Sequence, residues 1–561
     1  MSPRVSNFAA TRAELSEGPP VRRLHACLLL TLSLGLVVMT LPATADEAPT
    51  NEWKWSESFL ASDDGTSLHA DVFLPKAADA DDKFPVILSV GPYFASANGQ
   101  PTLRFADMMD GGRIFQRGYA YVQIDSRGYG GSGGCYDMGG AGEQMDAKAA
   151  VEWAAEQPWS TGRVGMWGKS YDAWTQVMAL AQDPVGLEAV VIQSPLIGIF
   201  QGVYEHGVQF SGWNTVGVSY LTYDVVPNGA SNDEQELINH VTGTATGGTC
   251  YVDHQAQIQV PFEDTPYYRS RDLAVAASDT DVPVLWSHGF NDANTKPNNF
   301  LPVWSELESP RRAWFGQWAH DRGNEVNKVG RDGFMDEAMA FFAEHLQGQP
   351  AADLPAVEIQ DGEGVWRTED AWPPADATLH RFPVLPGSYT DVSGNTARTA
   401  SAGTWTFTQP APYDLRFAGP YEVAVQVETQ APNANLISLL YDVAPDGSAR
   451  LVQRGAQLIQ SSGPVAFDSM PQDWILREGH RLGLLLTAAD STLFGPTHTR
   501  QTVEITSGSF SVPFLRYTRN PNLEGDAATA MGGVPEATLA SGLPGSRQVD
   551  TPFPAAPAPR D

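Results

Sequence analysis

Six short, largely apolar runs separated by helical stretches set the tightest limit on how this chain folds. Phe84 to Val90, Ala120 to Ile124, Val164 to Trp167, Ala189 to Ile192, Val282 to Ser287 and Arg312 to Gly316 alternate with segments such as Asp146 to Glu156 and Ala173 to Ala181. Continuous apolar strands must be covered on both faces, so strands alternating with helices predict an α/β fold with a mostly parallel sheet between helical layers. Ahead of these runs, Glu57 to Pro75 alternates as a strand pair around Asp63-Asp64-Gly65. Between Pro195 and Asp281 the rhythm is lost to Gly-rich and aromatic segments, and residues 196–281 are expected to form an inserted cap over the sheet's carboxyl end. Gly330 to Gln349 reads as a helix, and Ala371-Trp372-Pro373-Pro374 marks a boundary that closes a first domain of residues 46–370.

The second part has another period. Thr404 to Phe407, Tyr421 to Glu428, Leu436 to Val443 and Arg481 to Thr487 are short alternating segments spaced by turns such as Ala444-Pro445-Asp446-Gly447. That pattern predicts an antiparallel β jelly roll over residues 371–520. Beyond Asn520 the chain is rich in Ala, Pro and Gly without periodicity, and residues 521–561 are expected to be a disordered tail.

The amino-terminal segment reads as an address. Ala26 to Leu41 is uncharged, follows Arg22-Arg23 and precedes Pro42-Ala43-Thr44-Ala45, an A-x-A cleavage pattern, so residues 1–45 are expected to be a signal peptide. The run is shorter than the roughly 20 residues of a spanning helix, so the protein is expected to be secreted or periplasmic with no stable membrane anchor. Export leaves Cys135 and Cys250, an even count that permits one disulfide. With 35 Lys and Arg against 66 Asp and Glu, the formal charge of −31 repels phosphate backbones and excludes nucleic acid as a partner.

Val164 to Trp174 places Ser170 in a tight turn between a strand and a helix, the setting of a nucleophile elbow. The turn strains the serine, lifts its hydroxyl above the sheet and aims the helix's amino end at developing negative charge. Gly130-Gly131-Ser132-Gly133-Gly134 fits the literal G-x-S-x-G spacing better, but no helical pattern begins until about Glu143, so Ser132 reads as structural. A serine needs a base, and the base an acid to orient it. The strand Val282 to Ser287 is followed by Asp292, and the strand Arg312 to Gly316 by His320, which gives the order Ser170, Asp292, His320. His288 precedes that acid, His345 lies within a helix, and Asp321 is poorly placed to reach its own neighbour's far ring nitrogen. Two oxyanion donors are then needed: the backbone N–H of Tyr171 is one, and the Tyr93 hydroxyl, after the strand Val86 to Val90, is a candidate for the other. No metal or cofactor is expected.

Gly168-Lys169-Ser170-Tyr171-Asp172, Pro92-Tyr93, Asp125 to Gly133, Glu152-Trp153 with Gln157-Pro158-Trp159, Gly289-Phe290-Asn291-Asp292 and Gly316-Gln317-Trp318-Ala319-His320 together resemble the Xaa-Pro dipeptidyl-peptidase and cocaine-esterase family of serine hydrolases. Asp414 to Pro420 and Asp442 to Gly447 resemble that family's carboxyl-terminal jelly roll. The resemblance implies an α/β-hydrolase fold, a Ser170, Asp292, His320 triad, and Tyr93 with the Tyr171 amide as oxyanion donors. Two departures stand out. Ala173 occupies a position where the family usually has Gly, and with strands starting near Glu57 the large amino-terminal domain of the bigger dipeptidyl-peptidases is not expected.

The reading is therefore a secreted serine hydrolase acting through an acyl-enzyme on a small peptide or ester, foremost an Xaa-Pro dipeptidyl-peptidase. The alternative is a carboxylic ester or amino acid ester hydrolase or acylase, and a remote one is a non-catalytic carbohydrate-binding protein. A peptidase needs carboxylates for the substrate's ammonium and a pocket for the proline ring; Glu205, Asp224 and the Trp213 and Tyr220 region of the cap are the candidates.

Overall fold

The computed structural model describes residues 52–94, 101, 103–212, 250–392, 403–490 and 492–560. The expected signal peptide and the cap residues Trp213, Tyr220 and Asp224 lie outside them. Among the described residues no helix is long and apolar enough to cross a membrane.

The first domain is built on one ten-stranded sheet. Its strands are β1 (Trp53–Ala61), β2 (Ser67–Pro75), β3 (Phe84–Gly91), β4 (Ala120–Asp125), β5 (Ser160–Lys169) and β6 (Leu187–Gln193), then, after a small hairpin of β7 (Tyr204–Glu205) and β8 (Val208–Gln209), β9 (Val284–Gly289), β10 (Arg311–Gly316), β11 (Val357–Gln360) and β12 (Trp366–Glu369). They lie in the order β1-β2-β4-β3-β5-β6-β9-β10-β11-β12. Pairing is parallel from β4 across to β11 and antiparallel at both edges, where the β1–β2 hairpin and β12 close the sheet. The central strands alternate between two cores. In β3, Val86, Leu88 and Val90 pack with Ala147, Val151 and Val177 of the helices Ala141–Glu156 and Tyr171–Gln182. Ile87 packs on the opposite face with Phe342 and Leu346 of the helix Phe334–Gln347. Burial on both faces is why these strands read as unbroken apolar runs.

The second domain is a sandwich of antiparallel sheets. Thr502–Leu515 is the hub of one, pairing with Ala377–Pro383, Gly387–Thr390, Leu415–Gly419 and Glu422–Thr429. The other contains Gly403–Phe407, Arg481–Thr487, Ala434–Val443 and Ser448–Ile459. Val423, Val425 and Val427 turn inward against Leu440, Leu482, Leu484 and Leu486, while Glu422, Gln426 and Glu428 face solvent. This alternation made the sandwich legible in the sequence. The two domains are joined through Asp473, which accepts paired bonds from Arg367 at 3.1 and 2.6 Å and one from Arg416 at 2.8 Å; Arg416 also donates to Asp361. The whole forms an α/β-hydrolase sheet followed by a jelly roll.

The tail corrects the expectation of disorder. Glu536–Thr538 adds to the five-stranded sheet beside Ser448–Ile459, Tyr517 bridges to Ala558, and the Phe553 ring packs edge-on to Phe382 and Phe514. Its order comes from these distant partners, so no local period announces it.

Candidate active site

β5, β9 and β10 are parallel neighbours or near neighbours, so the turns that follow them meet at one end of the sheet. The first turn carries Ser170. Its φ of 65° and ψ of −120° lie in a region that a side chain tolerates only under constraint, at a cost of about 1–3 kcal/mol. Ser170 N–H donates to Gln193 O at 2.9 Å, and its carbonyl accepts from Trp174, the first bond of the helix Tyr171–Gln182. A Cβ on Gly168 would collide with the backbone of Asp172, so strand and helix nearly touch there. Ala173 is fully buried in the same packing, so the sheet-side core holds its methyl group without displacing the turn.

The loop after β9 carries Asp292, and the loop after β10 carries His320. His320 Nδ1 lies 2.8 Å from Asp292 Oδ2. Asp292 is buried, and its oxygens also accept from the backbone of Asn294 at 2.7 Å and Thr295 at 3.0 Å and from Thr295 Oγ1 at 2.8 Å. Burial alone would raise this carboxyl. The charge and hydrogen bond of His320, with His288 and Thr295, hold it well below the usual carboxylate range. An ionised Asp292 makes Nδ1 the donor of the imidazole and leaves Nε2 as its basic nitrogen.

The competing residues are otherwise engaged or neutral. Ser132 is buried, donates to Asp125 O at 2.6 Å and accepts from His69 N–H at 2.9 Å, which ties it into the loop after β4. His288 lies fully buried with Nε2 3.9 Å from Asp292 Oδ2, and burial pushes it down to about 4, so it is neutral. His345 packs edge-on to Phe341 within its helix.

Tyr171 opens the helix directly after Ser170, which places its N–H at the helix's positive end. Its hydroxyl donates to the buried Glu143 at 2.6 Å; Glu143 also accepts from the N–H groups of Asp137 and Gly139. Tyr93 follows β3 half-buried, with the Arg104 guanidinium 3.9 Å above its ring. Cys135 is disulfide-bonded; Cys250 opens the helix Cys250–Gln257, and its side chain lies outside the described residues.

Of the cap candidates, Glu205 is described. It is buried on β7 and accepts a hydrogen bond from Asn298 Nδ2. Burial, reinforced by Asp468 and opposed by Lys296, pushes its carboxyl well above the usual range. Lys296 is buried too, donating to Gly202 O at 2.9 Å with its ammonium 4.1 Å from the Phe210 ring. Burial pushes this ammonium down to about 7 against the pull of Asp292 and Glu205. Sequence reasoning missed Thr295 and Lys296, although the spacing of Thr295 three residues after Asp292 is a local turn signal. It also missed Glu143 and Arg104, and it gave Asp172 no role beyond its place in the serine motif.

Residues 64–322 match the family described as X-Pro dipeptidyl-peptidase (S15 family), and residues 350–533 match X-Pro dipeptidyl-peptidase C-terminal non-catalytic domain. The chain belongs to the S15 X-Pro dipeptidyl-peptidase family. Like its relatives it is a hydrolase. It is 24% identical to a "Putative Xaa-Pro dipeptidyl-peptidase" of Streptomyces avermitilis over 90% of both chains. It is 27% identical to the cocaine esterase of a Rhodococcus species over 61% of this chain and 64% of that one. Among solved structures, an α-amino acid ester hydrolase shares the fold with a TM-score of 0.64 at 19% identity, covering 85% of this chain and all of that one.

Proposed function

We propose that this S15-family chain is an exported serine hydrolase that works through an acyl-enzyme, with Ser170 as nucleophile, His320 as base and Asp292 as orienting acid. The observation that carries the reading is the 2.8 Å bond from His320 to a buried, ionised Asp292, on loops at the same sheet end as the strained Ser170 turn. Ser170 Oγ attacks the substrate carbonyl as its proton passes to His320 Nε2, and Asp292 stabilises the imidazolium. The Tyr93 hydroxyl and Tyr171 N–H take up the charge on the tetrahedral oxygen. His320 then protonates the departing amine or alcohol, and water repeats the sequence to free the acid and regenerate Ser170.

Peptides that begin with Xaa-Pro are the favoured substrates, cut after the proline, because both matched regions and the Streptomyces relative carry that description. Glu205 is the cap carboxylate offered to the substrate's ammonium. A second reading, an ester hydrolase, draws support from the same residue: Glu205 already has an Asn298 donor and a nearby lysine, and its burial favours the neutral carboxylic acid. Gly-Pro and Ala-Pro anilides with free and with acetylated amino termini, measured beside short acyl esters, separate the two. A peptidase cleaves the free anilides faster by roughly tenfold or more, since acetylation strands a recognising carboxylate at about 1–3 kcal/mol. Equal rates on both anilides with fast ester cleavage would assign the esterase.

A further inference from the structure

The two groups assigned above to the oxyanion come from distant parts of the chain, and one side chain touches the elements that carry both. Arg104 Nε donates to Asp172 Oδ2 at 2.9 Å, and the guanidinium carbon sits 3.9 Å from the centroid of the Tyr93 ring. Asp172 directly follows Tyr171 in the first turn of the nucleophile helix and is wholly buried. It is also pressed against Gly91, the last residue of β3 and two positions before Tyr93, where any Cβ would overlap the Asp172 carboxylate. Burial raises the Asp172 carboxyl to about 6, with Arg104 and then Lys169 opposing the rise, so the pair is ionic at neutral pH.

We infer that Arg104 is a positioning residue for the oxyanion site. Its Nε–H is anchored by the buried carboxylate at the helix's amino end, and its guanidinium carbon lies over the phenol ring, so Tyr93 and the Tyr171 amide are held at a fixed separation. A planar guanidinium suits both contacts at once, whereas a lysine ammonium would supply the charge without the stacked plane. Preorganised donors stabilise the transition state only when they already stand where its oxygen will be.

The inference rests on Tyr93 being an oxyanion donor, and a double-mutant cycle between Arg104→Met and Tyr93→Phe tests the two separately. Arg104→Met is expected to lower kcat roughly 10–100-fold with KM changed less than about twofold, the signature of an interaction made in the transition state. In the Tyr93→Phe background, where kcat is already down ~10²–10³-fold, the same change should cost less than about threefold more. Arg104→Lys should recover part of the loss. If Tyr93→Phe turns over normally, the oxyanion reading fails. If Tyr93→Phe is slow and Arg104→Met costs the same factor in both backgrounds, or raises KM alone, the positioning role is overturned. Should Arg104→Met misfold around an unpaired Asp172, the pair Arg104→Gln with Asp172→Asn removes both charges together, and the same cycle applies.

Discussion

Replacing Asp292 with Asn probes the base through its supporting hydrogen bonds. Asp292 Oδ1 accepts from two backbone N–H groups, at 2.7 and 3.0 Å, and an amide nitrogen cannot occupy that place. The new NH₂ must therefore take the Oδ2 position, facing His320 Nδ1 at 2.8 Å and Thr295 Oγ1 at 2.8 Å. The threonine hydroxyl can rotate to accept. The imidazole has to accept at Nδ1 as well, which moves its proton to Nε2 and leaves no lone pair for the serine. Loss of the basic tautomer is expected to lower kcat about 10⁴-fold, close to 5.5 kcal/mol, while KM stays nearly constant. Steady-state kinetics on the preferred anilide or ester, with near-ultraviolet circular dichroism confirming an intact fold, is the assay. An Asp292→Asn enzyme that keeps more than about a tenth of wild-type kcat would refute the tautomer argument.

Other consequences reach beyond the base. Ser132→Ala should leave kcat within about threefold and lower the melting temperature, because its hydroxyl joins Asp125 O to His69 N–H; its loss from a buried network costs about 1–3 kcal/mol. Mass spectrometry without reductant is expected to find Cys135 linked to the Cys250 peptide, and Cys135→Ser to cost roughly 2–5 kcal/mol in denaturant titration; a free alkylated thiol at Cys250 would contradict the pairing. His69 is buried, which lowers an imidazole's pKa, but its bonds to Asp125 at 3.0 Å and Glu57 at 3.2 Å push it up to about 11. Its folded pKa thus exceeds the unfolded value near 6.5, so its stabilisation is complete below that pH and is lost as pH rises toward 11. Melting temperature should fall across the alkaline range, and His69→Gln should flatten that fall.

The parts of this protein that could be read from its sequence are those whose causes are local. Val86, Ile87 and Leu88 form an unbroken apolar run because each face of β3 has its own core, and Val423, Val425 and Val427 alternate because one face of their strand meets water. The elbow was legible for the same reason: a strand, a Gly-flanked serine and a helix stand within a short stretch of chain. Context then separated Ser170 from Ser132, whose pattern matches better but whose hydroxyl is engaged within its own loop. Asp292 and His320 could be chosen because each follows a strand end, but the bond between them is a product of the sheet order. The Arg104–Asp172 pair spans 68 positions and leaves no trace in periodicity. The tail was misread because Pro- and Ala-rich chain carries no pattern of its own, and Phe553 is ordered by Phe382 and Phe514. The buried Lys296 beside Glu205 was equally hidden, since a lysine in a polar loop reads as solvated, and here Gly202 O and the Phe210 ring, distant in the chain, pack against its ammonium.

The central claim is that Ser170 is the nucleophile, and active-site titration with a fluorophosphonate followed by peptide mass spectrometry tests it most directly. One adduct per chain on the peptide containing Ser170, lost together with all but about a thousandth of turnover in Ser170→Ala, is the predicted result. An adduct on Ser132, or a Ser170→Ala protein that still labels and still hydrolyses substrate, would contradict it.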